Sequence, residues 1–308
     1  MKHAEAHAST PTVVVIGESL VDILEGPLGN RTCHPGGSPL NVAVGLGRLD
    51  VSTELVTRIG DDPHGELIRR HLADAGVSLP AGSWGADRTA TAHASIGADG
   101  SATYEFDIDW GLREVHFDVP RVVHTGSLAT LLEPGASRTE EALRGLPAST
   151  LITFDPNIRP TLATSREATR MRVENFAALA HIVKMSEEDA AWLYPDMEPR
   201  TIAEKYAALG VQLFVLTRAE NGCMVASHST LRHLPAEPST VVDTIGAGDA
   251  FMSGLIYEAI RSGAAKQLTS KKSEEELLDV CVQTALRSAA ITVSRAGADP
   301  PNRLDLNE

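Results

Sequence analysis

Short β-branched runs alternate with stretches of helical period along most of the chain. Thr12–Gly17 (TVVVIG) is an apolar run that stops at a glycine, which predicts a buried strand. Pro35–Gly37 reads as a turn. A helix over Leu40–Leu49 should follow, with Leu40, Ala43, Val44 and Leu46 packed closely through Gly45 and Gly47. Glu54–Gly60 predicts a strand. Pro63–Ala75 predicts a helix with Leu67, Ile68 and Leu72 on one side and Gly76 as its stop. Further strands are expected at Arg121–Thr125, Leu151–Asp155, His181–Met185 and Leu213–Thr217. Helices are expected at Ser137–Leu146, Ser165–Leu179, Glu187–Leu193 and Pro199–Leu209. Cys223–Ser227 and Thr230–Leu234 read as a late hairpin. Helices at Ala247–Arg261 and Ser273–Ser294 close the chain, the second with Ser273 and Glu276 at capping-box spacing. This order predicts an α/β fold with a mostly parallel central sheet and helices on both faces.

One segment breaks the rhythm. Ala90–Ile96 and Ala102–Ile108 are strand-like runs joined by Ala98-Asp99-Gly100, a hairpin signal. Tyr104, Phe106 and Ile108 alternate with Thr103, Glu105 and Asp107, a period of two that gives a sheet one apolar and one wet face. Residues of about 88–109 therefore read as a small antiparallel unit inserted into a single α/β domain spanning 11–308.

The chain has 308 residues, enough for a sizeable core. Residues 1–10 (MKHAEAHAST) lack the apolar stretch of a secretory signal and read as a short tail. No run approaches a membrane span. With 27 basic and 41 acidic residues the net charge is −14, which argues against nucleic acid or an anionic membrane as the main partner. Small anions remain possible ligands, because backbone N–H groups at a helix start hold them with few basic side chains. Cys33, Cys223 and Cys281 are far apart and in no CxxC spacing, as expected of thiols in a reducing cytoplasm.

Ligands of an open α/β sheet bind at the carboxyl ends of its strands. Asp243-Thr244-Ile245-Gly246-Ala247-Gly248-Asp249 runs straight into the helix at Ala247. Its small residues let consecutive N–H groups converge beside the positive end of that helix. Asp249 then lies next to an anion pocket, where a carboxylate makes sense as the group that takes a proton from an attacking hydroxyl. A lone GxGD is equally an Asp cap behind a glycine turn. Here it comes with a second glycine site, Gly36-Gly37 before Asn41, whose amide both donates and accepts, and with Asp22 after the first strand. Gly17 is not followed by GxGxxG and there is no GxxxxGK[ST], so dinucleotide and P-loop schemes are excluded.

Two stretches carry a family resemblance. Gly36-Gly37-Ser38-Pro39-Leu40-Asn41-Val42-Ala43, running on to Arg58-Ile59-Gly60-Asp61-Asp62-Pro63-His64-Gly65, and Asp243-Thr244-Ile245-Gly246-Ala247-Gly248-Asp249-Ala250-Phe251 resemble the two signatures of the ribokinase-like (PfkB) carbohydrate kinases. The likeness extends over roughly Val13 to Pro301. It implies the ribokinase-like fold with a β-lid matching the inserted unit, and transfer of the γ-phosphoryl of ATP to a sugar hydroxyl with Mg²⁺. Asp249 would be the base, and the backbone of Gly246, Ala247 and Gly248 the anion hole. Asp22, Gly36, Gly37 and Asn41 fall where the family binds sugar, with Tyr104 and Phe106 covering it from the lid. Lys184, Ser186, Thr217, Ala219 and Gly222 fall in the ATP region. The family's Asn-x-x-Glu stretch appears as Ser186-Glu187-Glu188-Asp189, so the resemblance carries the Mg²⁺ role to Ser186 and Asp189. Asp243, with carbonyls near Ile245, Thr292 and Gly297, would cage a monovalent cation such as K⁺.

Gly17-Glu18, Asp155-Pro156-Asn157-Ile158-Arg159, Lys184 and Gly297-Ala298-Asp299-Pro300-Pro301 resemble the fructokinases within that family, which adds Asn157 and Arg159 to the substrate side. Kinases of 2-keto-3-deoxygluconate or ribose, and a catalytically idle sugar or nucleotide sensor, are the alternatives. The apolar lid face also predicts a homodimer through the lid.

Overall fold

The computed structural model describes residues 11–25, 30–96, 102–112, 117–228 and 230–307, with backbone alone at 94–96, 102–104 and 307. The expected tail, residues 1–10, and the turn Ala98–Gly100 lie outside the described residues. The strands are β1 (Val13–Ile16), β2 (Leu20–Glu25), β3 (Arg31–Gly36), β4 (Thr53–Val56), β5 (Ile59–Gly60), β6 (Trp84–Ala86), β7 (Ala90–Ile96), β8 (Ala102–Asp107), β9 (Val122–Gly126), β10 (Leu151–Asp155), β11 (Ile182–Ser186), β12 (Leu213–Thr217), β13 (Cys223–Ser227) and β14 (Thr230–Leu234). The helices are α1 (Ser38–Arg48), α2 (Pro63–Asp74), α3 (Gly135–Arg144), α4 (Arg166–Ala177), α5 (Glu187–Leu193), α6 (Pro199–Ala208), α7 (Ala247–Arg261), α8 (Ala264–Thr269), α9 (Glu275–Val293) and α10 (Arg303–Asn307).

An eight-stranded sheet runs in the order β14-β13-β12-β11-β10-β9-β1-β4. From β12 to β4 every pairing is parallel, and β13 and β14 add an antiparallel edge. β1 lies between β9 and β4, and all four of its residues, Val13 to Ile16, are buried. Each such side chain contributes about 1.5–3 kcal/mol of transfer free energy. Odd and even residues feed two different cores. Val13 and Val15 pack on one face with residues of α1, α2, α7, α8 and α9. Val14 and Ile16 pack on the other with residues of α3 to α6. The expected helix-flanked parallel sheet is what the chain forms.

The lid differs from expectation in two ways. Its sheet has four strands, in the order β3-β2-β7-β8, so Leu20–Glu25 and Arg31–Gly36 belong to it along with the expected hairpin strands. It is also mixed, because β2 pairs with β7 in parallel while β2–β3 and β7–β8 are antiparallel. Asp22 is therefore a lid residue opposite His34 and Ala92, and not a residue trailing the first strand. Pro35 and Gly36 end a strand and do not form a turn, an arrangement Pro tolerates because β3 is an edge.

Local chemistry sets the helix starts. Asp62 caps α2 by accepting the Gly65 N–H at 2.8 Å, and Ser165 caps α4 by accepting the Ala168 N–H at 3.1 Å. The expected capping box at Ser273 does not form. Glu274 precedes α9 without a side-chain cap, and the Ser273 hydroxyl meets His228. The box is at α5 instead, where Ser186 accepts the Asp189 N–H at 3.0 Å and Asp189 accepts the Ser186 N–H at 3.3 Å. Glu54–Gly60 is broken into β4 and β5, and β5 pairs with β6 in a separate two-stranded sheet. Among the described residues no helix is long and apolar enough to cross a membrane.

Candidate active site

The carboxyl ends of β1, β9, β10 and β11 face the lid across a cleft of ≈ 370 Å³, within the range of small-ligand sites. Each strand delivers a polar group to it: Glu18 beyond β1, Ser127 beyond β9, Asn157 and Arg159 beyond β10, and Lys184 on β11. The lid contributes Leu20 and Asp22 from β2, Ala92 from β7 and Phe106 from β8. The turn from Thr244 to Asp249 closes the far side.

That turn is shaped by its small residues. Gly246 has φ of 76°, and a side chain there would meet the Ala298 Cβ at 2.7 Å. Beyond it α7 begins, so the N–H groups of Ala247, Gly248 and Asp249 precede the first intrahelical acceptor. Ala247 makes a long bond of 3.3 Å to the Thr244 carbonyl. Asp243 ties the turn down, with Oδ1 accepting the Ile245 N–H at 3.0 Å and Oδ2 accepting the Gly297 N–H at 2.9 Å. Those N–H groups hold the Asp243 carboxyl below its usual range.

Asp249 is 7% exposed. Its Oδ1 accepts the Ser38 hydroxyl at 2.6 Å and its Oδ2 accepts the Asn41 amide at 2.8 Å. Burial pushes its pKa upward, against the pull of Ser38, Asn41, Lys184 and Arg159. The result is an oriented carboxylate more basic than an exposed one, which suits a proton acceptor. Both hydrogen bonds come from the first turn of α1. That helix starts after Gly37, which has φ of 109° and where a Cβ would meet the Glu18 carbonyl oxygen at 2.7 Å. So the two glycine motifs meet at one carboxylate.

Lys184 and Asp155 form a buried ion pair, Nζ to Oδ2 at 2.9 Å. Burial raises the Asp155 pKa to about 6 despite Lys184. Glu18, 3% exposed, has a pKa raised to about 7 by burial. Its Oε2 accepts the Ala129 N–H at 2.9 Å. Asp22 is also raised by burial, with His34 and Arg159 opposing.

The cleft thus brings together the expected Asp22, Gly37, Asn41, Phe106, Asn157, Arg159, Lys184, Ile245, Gly246, Ala247, Gly248 and Asp249. Gly36 abuts the Asp22 carboxylate, which fills the space of a side chain there. The Tyr104 side chain lies outside the described residues. Arg159 is turned onto its own loop, bonding Asn157 Oδ1 at 2.6 Å.

Ser186, Asp189, Thr217, Ala219 and Gly222 do not line the cleft. They sit beside it, at the ends of β11 and β12 and in the turn into β13. The Thr217 hydroxyl donates to the Met185 carbonyl at 3.4 Å. Asp189 spends both oxygens on backbone, taking the Ile158 N–H at 2.8 Å as well as that of Ser186. It completes the capping box at the start of α5. Among the described residues no group of three His, Cys, Asp or Glu stands ready for a metal. The Thr292 hydroxyl bonds the Ser288 carbonyl at 2.9 Å. The next residue, Val293, accepts the N–H groups of Val242 and Asp243, so the segments of Asp243, Ile245, Thr292 and Gly297 do adjoin.

Sequence reasoning gave no separate role to Ser38, Glu18 or Asp155. Each was visible as a polar residue at a strand end or glycine turn, but its partner lies 29 to 211 positions away.

Residues 11–304 match the family described as pfkB family carbohydrate kinase. A fructokinase of Klebsiella pneumoniae is 32% identical over 277 residues, covering 87% of this chain and 90% of that protein. The crystal structure of a fructokinase from Vibrio cholerae O395, in fructose-, ADP- and calcium-bound form, superposes with a TM-score of 0.82 at 26% identity. That match covers 97% of this chain and 99% of the other. A sugar kinase of Pyrococcus horikoshii, PH1459, solved in complex with ATP, matches with a TM-score of 0.77 at 26% identity, covering 96% and 99%.

Proposed function

The chain belongs to the pfkB family of carbohydrate kinases, and from that membership we propose that it phosphorylates fructose with ATP in the cleft built around Asp249. The observation that carries this reading is the Ser38–Asp249–Asn41 constellation beside the glycine turn. Asp249 takes the proton of a sugar hydroxyl. The hydroxyl oxygen forms a bond to the γ-phosphorus, the bond from that phosphorus to the β–γ bridging oxygen breaks, and ADP leaves with the electron pair. The N–H groups at the start of α7 receive the equatorial oxygens as charge develops on them. Asp22, Asn41, Asn157 and Arg159 bind and orient the sugar, and the lid excludes water. The nucleotide lies toward Thr217, Ala219 and Gly222.

Asp189 already accepts two backbone N–H groups, so Mg²⁺ would arrive chiefly on the ATP phosphates, where it would neutralise charge. K⁺ would lie among backbone carbonyls beside Asp243, and its ionised carboxylate there supports that place. The lid, with Leu24 43% exposed, supports a homodimer through this sheet, which sedimentation showing only monomer at micromolar protein would overturn. We assign the reaction to the cytoplasm, where ATP and sugar are both available.

The test is ADP formation with ATP and Mg²⁺ over a panel of sugars, with and without K⁺, alongside Asp249→Ala. Turnover on fructose, lost in the variant, is expected. Turnover on ribose or 2-keto-3-deoxygluconate alone would replace the sugar and keep the chemistry. ATP binding with no turnover on any sugar would favour an idle sensor.

A further inference from the structure

The Asp155–Lys184 pair is not explained by stability. Asp155 is fully buried and Lys184 is 4% exposed. A buried ion pair loses hydration that its mutual attraction recovers only when the remaining polar atoms are satisfied. Here they are not, because Asp155 Oδ1 is buried with no hydrogen-bond partner among the described residues. Two apolar residues of similar volume would hold β10 to β11 at least as well. A polar group left unsatisfied in a core marks a place where function sets the sequence.

The position of the ammonium supplies that function. Lys184 lies on β11, the outermost on its side of the four strands whose ends form the cleft, and its Nζ reaches the anion turn. A Cβ on Gly248 would meet that Nζ at 2.8 Å. Among the described residues outside the turn and its helix, only Lys184 comes within 4 Å of that point, and Lys184 lines the cleft with Asp249. Nearby, His124 is buried with its Nδ1 on the Thr153 hydroxyl and its Nε2 without a partner among the described residues. Burial and Lys184 hold its pKa down to about 3, so His124 stays neutral and adds no competing charge. Asp189 and Asp249 are the other acids that act on Lys184. Asp189 is committed to backbone and Asp249 to Ser38 and Asn41.

We propose that Asp155 is a positioning residue for phosphoryl transfer, holding the Lys184 ammonium against Gly248 at the floor of the anion pocket, where it meets the oxygens of the phosphoryl group in flight. The inference rests on the kinase reading of the cleft. Asp155 does not line the cleft itself, and acts by fixing where the Lys184 charge sits. Backbone N–H groups supply direction in that pocket, and Lys184 supplies the full charge that they lack.

The experiment compares wild type with Asp155→Asn and with the double variant Asp155→Asn/Lys184→Met. The double variant leaves no unpaired buried charge and so keeps the fold if the single variant does not. Steady-state kinetics should give a kcat about 10²-fold lower in both, with KM for sugar and the calorimetric affinity for ADP within a few-fold of wild type. A second readout is inhibition by aluminium fluoride in the presence of ADP and sugar, a mimic of the phosphoryl group in transfer. Both variants should lose that inhibition while still binding ADP. A merely structural role would lower the melting temperature and leave aluminium fluoride inhibition of the folded fraction intact. That result, or an unchanged kcat in the double variant, overturns the proposal. Loss of activity on every sugar in the wild type itself would instead sink the kinase reading on which it rests.

Discussion

Ser38 and Asp249 are 211 positions apart and share a 2.6 Å hydrogen bond inside the cleft. One opens α1 and the other lies in the first turn of α7, so the packing of those two helices sets the direction of the carboxylate. Asn41, three residues further along α1, holds the second oxygen. Of the two donors, Ser38 does more to keep Asp249 ionised.

The pH dependence of turnover should therefore report Asp249. Burial raises its pKa, and Ser38 is the largest opposing influence. The base works only when ionised, so kcat/KM falls as pH drops through that pKa. Ser38→Ala removes a donor to the charged form, which moves the acid limb to higher pH. Asp249→Ala should lower kcat by about 10²–10⁴-fold with the sugar still bound. Rate profiles between pH 5 and 9 check both. An acid limb that stays put in Ser38→Ala would separate Asp249 from the titration.

Glu18 makes a different prediction, about stability. Its folded pKa is raised to about 7 from an ordinary 4.5. Between those values the folded protein holds a proton that the unfolded chain has released. Stability therefore falls as pH rises from about 4.5 to about 7 and levels off above, by an amount on the order of 3 kcal/mol. Glu18→Gln keeps an acceptor for the Ala129 N–H and cannot ionise. Urea unfolding at pH 5.5 and pH 8 should show the variant gaining over wild type at pH 8 and much less at pH 5.5. Equal gains at both values would mean that Glu18 does not titrate in this window.

The glycine turn can be probed one atom at a time. In Gly248→Ala the new methyl group lands on the Lys184 ammonium. The end of a lysine can move, so the fold should survive while the charge leaves its place, and kcat should fall by about 10-fold or more. Gly246→Ala is harsher, since it combines a φ of 76° with contact on Ala298. It should cost about 1–2 kcal/mol from the left-handed backbone alone. Melting temperatures and kcat, measured together, distinguish the two.

How much of this was legible in the sequence follows from where each signal is stored. The late hairpin and α7 begin and end where the pattern places them, because strand alternation and the glycine before Ala247 are local features. The anion turn and Asp249 are equally local. β2 and β3 escaped because Arg31–Gly36 (RTCHPG) has four exposed residues and no alternation, and an edge strand needs none. The Ser186 box was readable as Ser-x-x-Asp, but a stronger Ser-x-x-Glu stood at Ser273, where His228 takes the hydroxyl instead. The Lys184–Asp155 contact has no sequence signature. It exists because β10 and β11 are adjacent parallel strands, which is a property of the topology.

The hinge of the lid gives the last prediction. Asp62 accepts the Thr89 N–H at 2.7 Å and the Thr89 hydroxyl at 2.9 Å while capping α2 through Gly65 at 2.8 Å. The Thr89 hydroxyl also accepts the Gly60 N–H at 3.0 Å. Thr89 directly precedes β7, so this carboxylate fastens the root of a lid strand to the body of the protein. Burial works to raise the Asp62 pKa, but the donors from Gly65 and Thr89 outweigh it and hold the group below its ordinary range. The stabilisation is present above the unfolded pKa and fades as acid protonates the carboxylate. Asp62→Ala loses a helix cap worth about 1 kcal/mol together with the lid anchor. Its melting temperature should drop by a few degrees. On the proposed closure of the lid over the sugar, KM for the sugar should rise several-fold more than KM for ATP. Thr89→Val keeps the cap and removes only the hydroxyl links, so it should reproduce the sugar effect with a smaller thermal loss. Equal increases in both KM values for Asp62→Ala would mean that the anchor serves the fold and not the closure over the sugar.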